Sequence, residues 1–254
     1  MDKSSLEGAY AVCITPFTND GSEVDYNSLK AYVNWQIDQG IHGLIFLGST
    51  GEFLSVSEDE RIGITETAVK TAAGRIPILI GTGHEDTREV VRLSKQAESF
   101  GADGLMIIPP FYSTPTEDEI FVHYKTVAGA VSIPIMVYNN PVDYKIEVTL
   151  DMFEELLKCP NIEAVKESTR DISNVTRIKN RFGDRLGIMT GVDTLALESL
   201  LMGADGWIAG LVCAFPAETV AIYELQKAGR IKEAIEIYRW FLPLLELDIN
   251  PKLV

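Results

Sequence analysis

The sequence predicts a closed parallel (β/α)8 barrel, an α/β fold, followed by a helical C-terminal extension. Eight short runs rich in Ile, Val and Leu alternate with longer amphipathic segments. The short runs show little polar–apolar alternation, as strands covered on both faces of a parallel sheet should. GIHGLIF, GADGLMI and GADGWIA also repeat one pattern, in which a helix-ending glycine stands three residues before a glycine that opens a strand. Such repetition marks successive α-to-β turns of one architecture.

In chain order the strands are expected at AYAVCITPF (9–17), GLIFLG (43–48), IPILIGTG (76–83), GLMIIPP (104–110), IPIMVYNN (133–140), IEAVKES (162–168), LGIMTGV (186–192) and GWIAGLV (206–212). Helix-length segments between them include NSLKAYVNWQIDQG, SEDERIGITETAVKTAA, TREVVRLSKQAESFG and TLALESLLMG. Ser57 with Glu60 and Thr116 with Glu119 have capping-box spacing, and Gly40, Gly101 and Gly203 follow helical stretches. An open, doubly wound sheet is the competing architecture, but it usually carries G-x-G-x-x-G after its first strand, and that turn is missing. The 254 residues suit one barrel. Residues 1–215 are read as the barrel and 216–254 as the start of the extension, with helices near 216–229 and 231–247. The chain stops at NPKLV in mid-pattern, so the extension is expected to be incomplete.

A net charge of −15 and no Lys/Arg stripe exclude a nucleic-acid partner, because phosphate backbones need clustered cations. Any anionic substrate must then be held by a local nest of donors. No apolar run is long enough for a membrane span, and MDKSSLEGAY lacks the apolar core of a signal peptide. Cys13, Cys159 and Cys213 stand singly, which suits a reducing compartment and a cytoplasmic location. His42, His84 and His123 are isolated too, so no protein-bound metal is expected.

Barrel chemistry sits at the carboxyl ends of the strands. Those ends read Thr15-Pro16, GSTGE (48–52), Gly81-Thr82-Gly83, Pro109-Pro110-Phe111-Tyr112, Tyr138-Asn139-Asn140-Pro141, Lys166-Glu167-Ser168, Gly191-Val192-Asp193 and Ala209-Gly210. Most lysines snorkel to the surface. One held inside a barrel mouth instead favours its neutral, nucleophilic amine and can attack a ketone to give an iminium. Such chemistry needs a hydroxyl proton shuttle, for which Tyr138, one strand earlier, is the candidate. In GSTGE the glycines allow a sharp turn, while Ser49, Thr50 and nearby amides can donate to a carboxylate. As a phosphate loop it fails, because Glu52 stands where the lysine is required.

GSTGE, PPFY, YNNP, VKES and GVD, in that order and at those strand ends, resemble the dihydrodipicolinate synthase and N-acetylneuraminate lyase family, over nearly the whole chain from about residue 8. The resemblance implies a (β/α)8 barrel with a helical extension. It also implies an imine between the strand-six lysine and pyruvate or another 2-oxo acid, no separate cofactor, and a homodimer or homotetramer. It marks Lys166 as the Schiff-base lysine, Tyr138 as the relay tyrosine, and Ser49 and Thr50 as the pair that binds the carboxylate and joins the relay. Tyr112 resembles the relay tyrosine that family members supply to a neighbouring subunit. Ile208 would set its backbone beside the imine.

One departure bears on the substrate. The family's synthases carry an arginine two residues after Y-N-x-P to grip a second carboxylate, and here that position is Asp143. No substitute cation is evident nearby in sequence. Ser49, Ser168 and the Gly191–Asp193 stretch look more like the sugar-acid lyases, whose residues at these places contact a hydroxylated tail. The expected activity is therefore aldol cleavage or dehydration of a hydroxy-2-oxo acid of the 2-keto-3-deoxy sugar acid or N-acetylneuraminate type. Dihydrodipicolinate synthesis proper, hydroxy-pyrroline-carboxylate deamination and a catalytically dead ligand-binding barrel are the alternatives. A metal-dependent aldolase would need clustered carboxylates or histidines, for which Glu52, Glu167 and Asp193 make a poor case.

Overall fold

The computed structural model describes residues 6–249. Eight parallel strands close into one barrel in sequential order, β1 pairing with both β2 and β8. They are β1 (Gly8–Val12), β2 (Gly43–Phe46), β3 (Ile78–Gly81), β4 (Gly104–Ile107), β5 (Ile135–Asn139), β6 (Ile162–Glu167), β7 (Gly187–Thr190) and β8 (Gly206–Ala209). Each lies within an expected apolar run, except that β1 starts one residue earlier, at Gly8. Nearly every strand residue is buried, because the barrel interior packs one face and the helices cover the other.

The covering helices are α1 (Tyr26–Asp38), α2 (Glu58–Ala72), α3 (Thr87–Ser99), α4 (Glu117–Ala128), a single turn α5 (Pro141–Tyr144), α6 (Leu150–Leu156), α7 (Ile172–Phe182), α8 (Ala196–Leu201), α9 (Pro216–Lys227) and α10 (Ile231–Leu245). Both capping boxes form: Ser57 caps α2 with Glu60, and Thr116 caps α4 with Glu119. Gly40, Gly101 and Gly203 take the left-handed backbone that ends a helix, at φ 86°, 89° and 106°.

A barrel ending at residue 215 leaves α9 beyond it. In the structure it packs on β1 and β8. Its Tyr223 hydroxyl donates to the carbonyl of Asp205, just before β8 (3.2 Å), and its Glu224 meets His42, just before β2 (2.9 Å). Residues 216–227 thus complete the outer ring, and α10 packs outside α9. α10 is tied to the β7 end by the Tyr238 hydroxyl, which donates to the carbonyl of Asp193 (2.9 Å). No described helix is long and apolar enough to cross a membrane.

Candidate active site

Register decides which side chains face the barrel axis. Tyr138 on β5 lies opposite Lys166 on β6, and Lys166 lies opposite Met189 on β7. With a two-residue period, Ala164, Lys166 and Ser168 point inward while Val165 and Glu167 point toward the helices. Lys166 is 6% exposed, and its Nζ sits 4.1 Å from the centre of the Tyr138 ring. The amine and phenol that the sequence assigned to adjacent strand ends are in contact.

Glu167, facing outward, holds that strand end in place. Its carboxylate accepts from the Thr169 amide (2.8 Å) and the Asn174 amide side chain of α7 (2.9 Å). Asn139 of β5 adds a longer bond at 3.4 Å. Burial raises its pKa, against the pull of these donors. Asn139 also exchanges two bonds with the backbone of Val148, which fastens the loop after β5. The second residue of YNNP is therefore a structural clamp.

The GSTGE loop makes a tight turn above β2. Gly51 N–H donates to the Gly48 carbonyl and Glu52 N–H to the Ser49 carbonyl, both at 3.0 Å. Leu47 and Glu52, at φ 59° and 55°, hold it between two left-handed residues, a conformation that costs a side-chain-bearing residue about 1 kcal/mol or more. At Gly51 a Cβ would stand 2.9 Å from the Cys13 carbonyl, so the close approach requires glycine. Ser49 and Tyr138 line a small pocket open to solvent, together with Phe53, Met106 and Ile108. Thr50 lies half-buried in the same loop.

Ser168 is 3% exposed, and its hydroxyl has no hydrogen-bond partner. A Cβ built on Gly191 would fall 2.2 Å from Ser168 Oγ and 2.7 Å from Lys166 Cε, so these three residues meet at one point. Ile208, 1% exposed, pairs with Tyr10 across β8 and β1.

Two site expectations change, at Asp193 and beside Asp143. Asp193 does not face the amine as a free carboxylate: one oxygen accepts from the Trp207 indole (2.9 Å), the other from the Gly210 and Leu211 amides (3.2 and 3.0 Å). Its neighbour Val192 is followed by a 3-10 turn at Asp193–Leu195, from which the side chain reaches these donors on and after β8. Tyr112 is 91% exposed and leaves its own site, its loop held by Glu85, which accepts from the Phe111 and Tyr112 amides. And a cation does stand near Asp143. Arg170, on the loop after β6, brings Nη2 to 3.8 Å from its carboxylate.

One residue that the sequence reading passed over joins the group. Tyr144 ends the turn α5, and its hydroxyl hydrogen-bonds Ser49 Oγ. Its ring meets Tyr138 edge-on at 5.6 Å and Phe111 at 5.0 Å. Burial raises its pKa, and the Ser49 bond and the Lys166 charge oppose that rise. The signal was present: Asn140 as helix cap and Pro141 at the first position spell a one-turn helix. Among the described residues no three His, Cys, Asp or Glu side chains gather as a metal site, and Glu167 and Asp193 are both committed to hydrogen bonds.

The dihydrodipicolinate synthetase family model matches residues 5–253. The chain belongs to this family. It is 34% identical over 250 residues to the 4-hydroxy-tetrahydrodipicolinate synthase of Aquifex aeolicus, an alignment covering 97% of this chain and 84% of that protein. With the corresponding enzyme of Sorangium cellulosum it shares 36% over 248 residues, covering 97% and 81%. The crystal structure of the Aquifex aeolicus dihydrodipicolinate synthase superposes with a TM-score of 0.93, covering 97% of this chain and 84% of that one, at 34% identity. The chloride-inhibited Acinetobacter baumannii synthase complexed with pyruvate gives 0.93 at 30% identity, covering 97% and 85%. The protein is accordingly a lyase of the Schiff-base class, whose chemistry runs through a covalent lysine imine without a separate cofactor.

Proposed function

We propose that Lys166 forms the imine, that Tyr138 and Ser49 move its protons, and that the substrate is a hydroxy-2-oxo acid cleaved or dehydrated next to the imine carbon. The observation that carries the substrate reading is the buried Ser168 hydroxyl, unpartnered beside Lys166. A buried hydroxyl left unpaired costs about 1–3 kcal/mol, which a substrate hydroxyl would recover. The GSTGE turn, with Ser49 and Thr50, would hold the 2-oxo acid carboxylate. Gly191, lacking a side chain, lets Ser168 and the Lys166 stem pack against the β7 end, and the Ile208 backbone would lie beside the imine.

The Lys166 amine attacks the C2 carbonyl while the carbonyl oxygen takes a proton from the Tyr138 hydroxyl. The carbinolamine then loses water, with the departing oxygen protonated through the same hydroxyls. In the resulting iminium, nitrogen accepts the electrons of the C3–C4 bond in an aldol cleavage, as the C4 hydroxyl gives up its proton and becomes a carbonyl; in a dehydration it accepts those of a C3–H bond, and the enamine then expels the C4 hydroxyl, which leaves as water with its own bonding pair and one proton.

Asp143 at the mouth disfavours a second substrate carboxylate and accepts hydroxyls readily. A second reading, the synthase reaction of pyruvate with aspartate semialdehyde, draws support from the names of the relatives and from Arg170, a cation 3.8 Å from Asp143. Borohydride treatment with pyruvate tests the imine: one pyruvyl adduct on Lys166 is expected, and no adduct, or one surviving Lys166→Ala, refutes it. A coupled assay then sets aspartate semialdehyde against 2-keto-3-deoxy sugar acids, N-acetylneuraminate and 4-hydroxy-2-oxoglutarate. Turnover with aspartate semialdehyde alone would decide for the synthase. The apolar side chains of Leu54 and Tyr112, 74% and 91% exposed, support self-association into a homodimer or homotetramer, and three unpaired thiols support a cytoplasmic setting.

A further inference from the structure

The relay read from sequence needed a third hydroxyl, and Tyr112 was expected to bring it from another subunit. In this chain the Ser49 hydroxyl already has a phenolic partner, Tyr144. Several features fix that phenol. The Asn140 side chain caps α5, accepting from the Asp143 amide (3.2 Å) and donating to the Asp143 carboxylate (2.7 Å). The same amide group donates to the Tyr138 hydroxyl (3.1 Å), so one side chain holds the turn carrying Tyr144 and the phenol beside Lys166. Lys145, left-handed at φ 63°, closes the turn directly after Tyr144. The Tyr144 ring is then clamped between Tyr138 and Phe111. It is only half-buried, whereas Tyr138 is 7% exposed, so Tyr144 lies on the solvent side of the pair.

We propose that Tyr144 completes the proton relay of this site from within the same chain, fixing the Ser49 hydroxyl and connecting the buried Tyr138 to solvent. The inference rests on the reading that Lys166 forms the imine. Tyr144 touches no reacting atom and is a positioning residue. Its part in the step balances as follows. When Lys166 nitrogen bonds to C2, the carbonyl π pair moves to oxygen and takes the Tyr138 proton. The ammonium-like nitrogen of the new carbinolamine releases one proton, which returns to Tyr138. When the hydroxyl leaves as water, Tyr138 supplies the second proton, and Ser49 and Tyr144 restore it by passing one in from bulk water.

The test follows the rate at which borohydride-trappable pyruvate imine forms at saturating pyruvate. Tyr144→Phe keeps the ring clamped and removes only the hydroxyl. It is expected to slow imine formation about 30- to 100-fold, with half-saturation by pyruvate unchanged and the same final adduct yield at long times. The pH at which the rate is half-maximal should move as well. Ser49→Ala should cost a similar factor, and the double variant Ser49→Ala/Tyr144→Phe should be no slower than the slower single one, because both cut the same link. A structural role would instead give additive losses with an unmoved pH profile. Tyr144→Phe trapping pyruvate at the wild-type rate, or additive losses in the double variant, overturns the relay while leaving the Lys166 imine standing. Absence of adduct in the wild-type protein refutes the imine and the relay with it.

Discussion

Gly191→Ala is the most economical test of how closely the site is packed. Gly191 directly follows β7 across from the β6 end, with its N–H donating to the Glu167 carbonyl (2.8 Å), so the backbone cannot move without loosening the strand pair. An added methyl would lie 2.2 Å from Ser168 Oγ, 2.7 Å from Lys166 Cε and 2.9 Å from Lys166 Cγ. Ordinary contact begins near 3.4 Å, so the lysine stem must retreat by roughly 0.5–0.7 Å. Ser168 can rotate its hydroxyl aside, but Lys166 Cγ lies too near its own backbone to swing clear. Overpacking of this kind costs about 1–3 kcal/mol of stability. A displacement approaching 1 Å at a reacting amine costs on the order of 100-fold in rate. The assay is the rate of borohydride-trapped imine at saturating pyruvate, with urea unfolding alongside. A folded Gly191→Ala protein that traps pyruvate at the wild-type rate would refute the placement of the amine, since the added methyl cannot fit with both side chains in place.

Tyr138→Phe should lower turnover about 100-fold. It should cost about 1 kcal/mol of stability, because Asn140 loses one acceptor and keeps Asp143; near-normal turnover would reduce Tyr138 to packing. Asp143→Arg should raise kcat/KM for aspartate semialdehyde roughly thirtyfold, the equivalent of about 2 kcal/mol when a repulsive charge becomes an attractive one. An unchanged value would show that Arg170 already neutralises the mouth. His123, buried on α4 with Nδ1 bonded to Thr87 (2.9 Å), has its pKa lowered by desolvation from 6.5 to about 4. Its neutral form therefore stabilises the fold fully above pH 6.5. About 3 kcal/mol of that is lost as the pH falls to 4, where the unfolded chain takes the proton and the native one resists it. In urea midpoints, the acid-side slope between pH 7 and 4 should flatten in His123→Gln, and an equally steep slope would put the loss elsewhere.

The alternation of apolar runs with amphipathic ones determined the barrel, because a parallel strand covered on both faces has to be apolar throughout and its crossover has to be a helix. The same order of strands placed Lys166 and Tyr138 at adjacent strand ends, and local rules were enough for both capping boxes, since a cap needs only residues three apart. Other features depended on neighbours remote in the chain. Asp193 read as a substrate ligand until Trp207 and two amides from the β8 end claimed its carboxylate, partners 14 to 18 residues away. Arg170 was invisible as a partner of Asp143, since the loops after β5 and β6 meet only once the barrel closes. The return helix α9 looked surplus until its contacts with β1 showed where the ring ends. Tyr144 shows the division most clearly. The Asn-Pro start of its one-turn helix is local, but its partner Ser49 lies 95 residues away across the barrel mouth. Sequence period sets which face of its own element a side chain takes, whereas what that side chain meets is set by closure of the sheet.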